Sequence, residues 1–178
     1  ELDPQTNRFE KMAEFNAADV VAPEIFSRAR SQDDTRFRIL MAEGVTSWQV
    51  WQMLSAIGPL NGEVDLPLEG SLAPNSYEIR VGEDRRDVIL RMQAAQALTL
   101  ETAWQNRAEG LPLKSPQEAL ILASIVEKET GLASERRQVA SVFINRLRRG
   151  IRLQTDPAVI YGITKGEKVL GRGLRRSE

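Results

Sequence analysis

The 178-residue sequence contains neither histidine nor cysteine. That double absence excludes a Ser-His-Asp or Cys-His triad, a histidine acid/base, a Cys/His zinc site and a disulfide framework. Any catalysis must use carboxylates, lysine, tyrosine, hydroxyls or backbone groups. A chain without thiols suits oxidising and reducing compartments equally, so cysteine content does not locate it. No run approaches the roughly 20 apolar residues that cross a bilayer. Neither sign of charge dominates: 24 Lys and Arg face 25 Asp and Glu, a net charge of −1, which argues against a polycation built to wrap nucleic acid. What is present is 42% apolar residues, enough to bury a substantial core, in a length suited to one or two domains.

Charge is unevenly placed. Residues 136–178 hold eleven Lys and Arg against three acids (Asp156, Glu167 and Glu178), a local charge of +8 that leaves −9 upstream. Three readings stand: a surface for an anionic ligand, two modules of opposite charge packed together, and a solvated basic helix face.

Residues 1–36 are polar and mixed, with short helices expected over Arg8 to Phe15 and after Pro23. From Phe37 to Met41 the pattern half-alternates as a strand, Glu43-Gly44 reads as a turn, and Trp48, Val50, Trp51 and Leu54 follow at helical spacing. Thr46 or Ser47 is the expected N-cap, and Gly58-Pro59 the stop. Tyr77 to Arg80 reads as the returning strand. The expected order is thus a polar segment (1–36), a strand-helix-strand module (37–82) and an α-rich region (83–178), an α+β chain.

In the last region a long helix is expected over Asp84 to Trp104. A second begins at Ser115-Pro116, with Ser115 as cap and Pro116 at the first helical position. It runs to Thr130, stops at Gly131, and is apolar on all sides in its middle, as a buried central helix would be. A third spans roughly Ser134 to Arg149, with Val139, Val142, Phe143 and Leu147 inward. Leu153 to Pro157 reads as an extended segment leading to a turn near Tyr161-Gly162.

The central helix ends in Glu127, Lys128 and Glu129. At about 100° per residue, Glu129 falls about 20° from Leu122 and about 40° from Ile125, on their apolar stripe, with Glu127 on the far side. Desolvation and the negative end of the helix dipole would both favour a protonated carboxyl there, as a general acid requires. The alternative is structural: Glu129 pairs with Arg136, Arg137 or Arg146 of the next helix. Asn145, Gln154, Thr155, Asp156 and Tyr161 form the polar cluster expected beside Glu129.

The run Ala123 to Gly162, ASIVEKETGLASERRQVASVFINRLRRGIRLQTDPAVIYG, closely resembles the signature of the endolytic murein transglycosylases, the MltG or YceG-like family. Met41 to Ser47 looks like that family's LysM-like module, and Glu69 to Tyr77 is similar to its acidic-Gly…Pro-Asp-Thr-Tyr stretch, with Asn75 and Ser76 departing from it. The resemblance covers about residues 37–165. It implies an α-rich, lysozyme-like catalytic domain behind the LysM-like module, with Glu129 catalytic and Glu127 as fallback. The Glu129-Thr130 pair is similar to the Glu-Ser that ends the catalytic helix of other lytic transglycosylases.

The implied reaction is cleavage of the MurNAc-β-1,4-GlcNAc bond of peptidoglycan glycan strands to 1,6-anhydroMurNAc ends, without metal or cofactor. Substrate contacts are expected from Asn145, Gln154, Thr155, Asp156 and Tyr161. Cell-wall synthesis enzymes are candidate partners. The resemblance also implies an inner-membrane anchor before Glu1, a periplasmic placement, and a continuation past Glu178 through Asn-Thr-Tyr and Gly-Leu-Pro-Pro segments that completes the cleft. A non-catalytic wall-binding or scaffold protein is the first rival. A nucleic-acid module using the arginines near 146–152 is the second, and it lacks interleaved aromatics.

Overall fold

The computed structural model describes residues 35–175 without interruption and, ahead of them, residues 2, 3, 5, 6, 8, 9, 14, 24–30 and 32. Two short strands, β1 (Leu2–Asp3) and β2 (Arg8–Phe9), pair antiparallel. Arg8 and Phe9 are therefore strand where a helix was expected, and most of the remainder of that expected helix lies outside the described residues. The helix expected after Pro23 is α1 (Glu24–Arg30).

β3 (Arg36–Leu40) and β4 (Ser76–Arg80) form an antiparallel pair in the register Ile39↔Tyr77 and Phe37↔Ile79. Period-two alternation sends Ile39, Tyr77 and Ile79 inward and leaves Leu40 outside. Between the strands lies α2 (Ser47–Ala56), whose cap is Thr46: its hydroxyl accepts from Gln49 N at 3.2 Å while Gln49 Oε1 accepts from Thr46 N at 2.9 Å, a capping box. Val50 and Leu54 are buried beneath the sheet. Trp48 and Trp51 are half-buried, with Trp51 Nε1 donating to Val64 O at 2.8 Å.

α3 (Arg85–Gln105) starts at the cap Asp84 and divides along its length. Its first turns contribute Val88, Ile89 and Met92 to the core of the strand-helix-strand unit, and its later part is largely solvent-facing, with Leu98 exposed. Arg85 fastens the two pieces together. Its guanidinium donates to the carbonyls of Leu54, Ile57 and Gly62 at 2.7–2.8 Å, adding side-chain donors at and just beyond the C-terminal turn of α2.

α4 (Pro116–Glu129) follows the expected start: Ser115 accepts from Glu118 N at 3.2 Å and proline sits in the first turn. It is not buried all round. Leu122 and Val126 are covered, whereas Ile121 is 61% exposed and Ala123 and Ser124 face solvent. The neighbours α3, α5 (Arg136–Arg148) and α6 (Asp156–Thr164) cover only part of its circumference. On α5, Phe143 is buried and Val139 and Leu147 pack beside it, but Val142 points outward, contrary to expectation. Of the expected extended segment, Leu153 to Thr155 are non-helical, but Asp156 and Pro157 open α6, which also replaces the turn expected near Tyr161-Gly162. Thr155 caps it by accepting from Ala158 N at 3.2 Å, and Pro157 takes a first-turn place where no amide donor is missed.

Candidate functional site

Glu129 is the last helical residue of α4, and its side chain is exposed. The enclosure expected for it is absent among the described residues: the covered line on the last turns runs through Leu122, Val126 and Thr130, while at Glu129 the chain leaves the helix and no described element closes over that side. The arginine pairing offered as the structural alternative goes elsewhere: Arg136 Nη2 lies 2.9 Å from Glu127 Oε2 and 3.6 Å from Glu43 Oε2. Glu129 makes no ion pair among the described residues. The two carboxyls of the helix end are thereby distinguished, since Glu127 is half-buried and engaged while Glu129 is open.

Thr130 secures the turn after the helix. Its buried hydroxyl donates to Glu135 Oε2 at 2.8 Å and accepts from Leu132 N at 3.1 Å, fixing the path from α4 into α5. Farther along, Arg146 donates to Leu153 O and Ile151 N donates to Arg146 O at 2.9 Å, so the α5–α6 connection is tied back onto α5.

The expected cluster separates by role. Thr155 is buried and is spent on capping α6, so it does not line a surface. Asn145, Gln154, Asp156 and Tyr161 are exposed. Gln154 adopts φ 52°, the left-handed region, without being glycine. Such a backbone costs on the order of 1 kcal/mol and is held by its surroundings, here the Arg146 tie and the Thr155 cap on either side. Tyr161 lies near Glu69 of the strand-helix-strand unit: partial burial raises its phenol above the ordinary range, and the Glu69 carboxylate adds in the same direction. The phenol is therefore a proton-bearing donor throughout the neutral range.

Glu69 also binds the start of α2, its two oxygens accepting from Ser47 N at 3.2 and 3.3 Å, the favoured place for a carboxylate. Thr46 donates to Gly166 O at 3.0 Å just past the end of α6. The α2 start thus meets both the 66–71 loop and the α6 end. Reasoning from sequence missed this junction and the Glu43–Arg136–Glu127 bridge, because both join segments far apart in the chain. The only local signals were a lone acid in each turn.

Two surface depressions, one walled by Glu78, Arg80, Glu83 and Arg91 and one by Glu63, Asp65, Arg86 and Gln93, lie in the strand-helix-strand unit and the start of α3. Neither includes Glu127 or Glu129. Along the basic half, Arg148 donates to Gly110 O at 3.2 Å. Arg137, Arg149 and Arg152 are exposed and form no ion pair among the described residues.

Comparison with known proteins bears on this arrangement. A family model described as the YceG-like family matches residues 12–177. A Bacillus subtilis (strain 168) protein named endolytic murein transglycosylase is 30% identical over 115 residues, 64% of this chain and 32% of its own length. One of the same name from Streptococcus pneumoniae serotype 2 (strain D39) is 33% identical over 112 residues, 62% of this chain and 19% of its own. The chain spans less than a third of either relative. A crystal structure described as a yceG-like protein from Listeria monocytogenes superposes with a TM-score of 0.52 at 23% identity, over 80% of this chain and 55% of that one, a likeness of fold. The family match takes in the β3–β4 pair, the long α3 and the whole of the α4–α6 segment with its two unlike carboxyls, and on that extent the chain belongs to the YceG-like family.

Proposed function

We propose that this chain is the part of an endolytic peptidoglycan lytic transglycosylase that carries the reacting carboxyl, Glu129. The observation that carries the reading is the position of Glu129 at the end of α4, in no ion pair among the described residues, within a family match that covers residues 12–177. Glu129 protonates the glycosidic oxygen between N-acetylmuramic acid and N-acetylglucosamine. As carboxylate it then takes the proton of the muramic acid C6 hydroxyl, which attacks C1 and closes the 1,6-anhydro ring. The internal nucleophile replaces the second carboxylate of ordinary glycosidases.

Asn145, Gln154, Asp156 and Tyr161 supply hydrogen bonds to sugar hydroxyls and acetamides, and Thr155 holds that segment in place. Residues 37–82 act as a LysM-like positioning module and 83–178 as part of a lysozyme-like domain. The protein works on the periplasmic side of the inner membrane from a single-pass anchor. No helix among the described residues is long and apolar enough to cross a membrane. Arg137, Arg149 and Arg152 face the carboxylates of the peptide stems.

Glu129→Gln in the full-length protein tests the reaction. The change is nearly isosteric and removes only the transferable proton, so anhydromuramyl products are expected to fall by at least about a hundredfold with the melting transition unchanged. Release near the parent rate would move the role to Glu127. The exposure of Glu129 favours one second reading, a wall-binding protein without turnover, and the same assay separates it: bound murein with no anhydro ends from the parent protein would establish that role.

A further inference from the structure

We propose that Arg136 is a positioning residue for this reaction, tying the turn of the strand-helix-strand unit to the end of α4 so that the small unit sets the helix end that carries Glu129. The inference rests on Glu129 being the reacting acid. One guanidinium nitrogen, Nη2, serves two carboxylates from distant parts of the chain, Glu127 at 2.9 Å and Glu43 at 3.6 Å. Side-chain exposure ranks the two legs. Glu127 is 30% exposed and Glu43 68%, so the helix leg is the firmer and the turn leg is screened by water.

The turn and the helix also touch without help from charge. A Cβ on Gly44 would stand 3.6 Å from Glu127 Cγ and 3.6 Å from Lys128 Nζ, and Gly44 has φ +73°, so the chain turns back against the end of α4 at a position suited to glycine. The third observation is Arg136 Nε, which is buried and has no hydrogen-bond partner among the described residues. Nε and Nη2 share the edge of the guanidinium that grips a carboxylate with two parallel bonds. That edge is half-used, with Nη2 on Glu127 and Nε unpartnered among the described residues. The bridge therefore has the form of a clamp on the residue two places before Glu129, with its other jaw on the small unit.

The test uses the full-length protein and follows release of anhydromuramyl products. A misplacement of a reacting group by a fraction of an ångström lowers turnover rather than binding, so Arg136→Met is expected to reduce kcat on the order of tenfold with KM within about twofold. Arg136→Lys, which restores the charge, is expected to recover at least about a third of the lost turnover. A spin-label pair on cysteines introduced at the exposed Gln52 of α2 and Ala123 of α4 reads the placement itself. Its distance distribution should be narrow in the parent and broader in Arg136→Met. If Arg136→Met does not fold, Glu43→Gln, altering only the exposed leg, is expected to broaden the same distribution and lower kcat. Turnover within about twofold of the parent in Arg136→Met, or an unbroadened distribution in whichever variant folds, overturns the clamp. Full activity in Glu129→Gln overturns the assignment of the acid and the clamp with it, whereas loss in Glu129→Gln beside full activity in Arg136→Met removes the clamp alone.

Discussion

The strand-helix-strand unit and the first turns of α3 bury ten apolar side chains in one cluster, Leu54, Ile79, Val88 and Met92 almost completely, whereas the cluster shared by α4 and α5 buries three, Leu122, Val126 and Phe143. The difference follows from geometry. A two-stranded sheet with alternating residues presents a flat apolar face, and α2 and α3 cover that face, so each inward side chain is enclosed. α4 is a cylinder with neighbours on only part of its circumference, and Ile121, Val142 and Ile163 remain exposed. The closed region secures the fold. The open one keeps carboxyl, amide and phenol groups within reach of solvent.

The comparison predicts unequal costs for the same deletion in the two clusters. Leu54→Ala is expected to destabilise by about 3–5 kcal/mol, because its surroundings cannot collapse, and Leu122→Ala by about 2–3 kcal/mol, because an open site relaxes. Urea unfolding of each variant measures this, and equal losses would break the distinction. Next in size is Gly166→Ala, where the two regions meet. A Cβ there would lie 2.6 Å from Thr46 Cγ2, at φ +77°, so a loss of about 1–3 kcal/mol is expected in the same measurement. Stability equal to the parent would mean that Thr46 and the α6 end are not held together. The smallest effect belongs to Ile121→Ser, expected within about 0.5 kcal/mol of the parent because that side chain meets water. A loss as large as that of Leu122→Ala would show that something covers this face of α4 in solution.

Elements were legible where a local chemical signal stood at their ends. The Thr46-Ser47 pair, Gly58-Pro59 and the Ser115-Pro116 start each mark a boundary through hydrogen bonding or a fixed dihedral that needs no distant partner, and the structure settles the first cap on Thr46. α6 was misread because Pro157 and Gly162 resemble breakers. Proline costs nothing in a first turn, and the hydroxyl of Thr155 supplied the cap. In the site, the periodicity of Leu122, Ile125, Val126 and Glu129 placed the glutamate correctly along the helix. It failed on burial, since angular position says which residues share a side and not how much of that side is covered.

The sequence by itself determined the exclusion of histidine and thiol chemistry, the concentration of basic charge after residue 136, the resemblance carried by Ala123 to Gly162, and the caps that start α2 and α4. All of these depend on composition or on neighbours within a few residues. Only the tertiary structure decided that Arg136 takes Glu127 and Glu43, that Glu129 stays open, that Thr155 is spent as a cap, and that Tyr161 lies near Glu69. Those outcomes turn on which surfaces meet after the chain has folded, and a carboxyl's exposure or a guanidinium's choice between acids is set by contacts between segments that no local pattern connects.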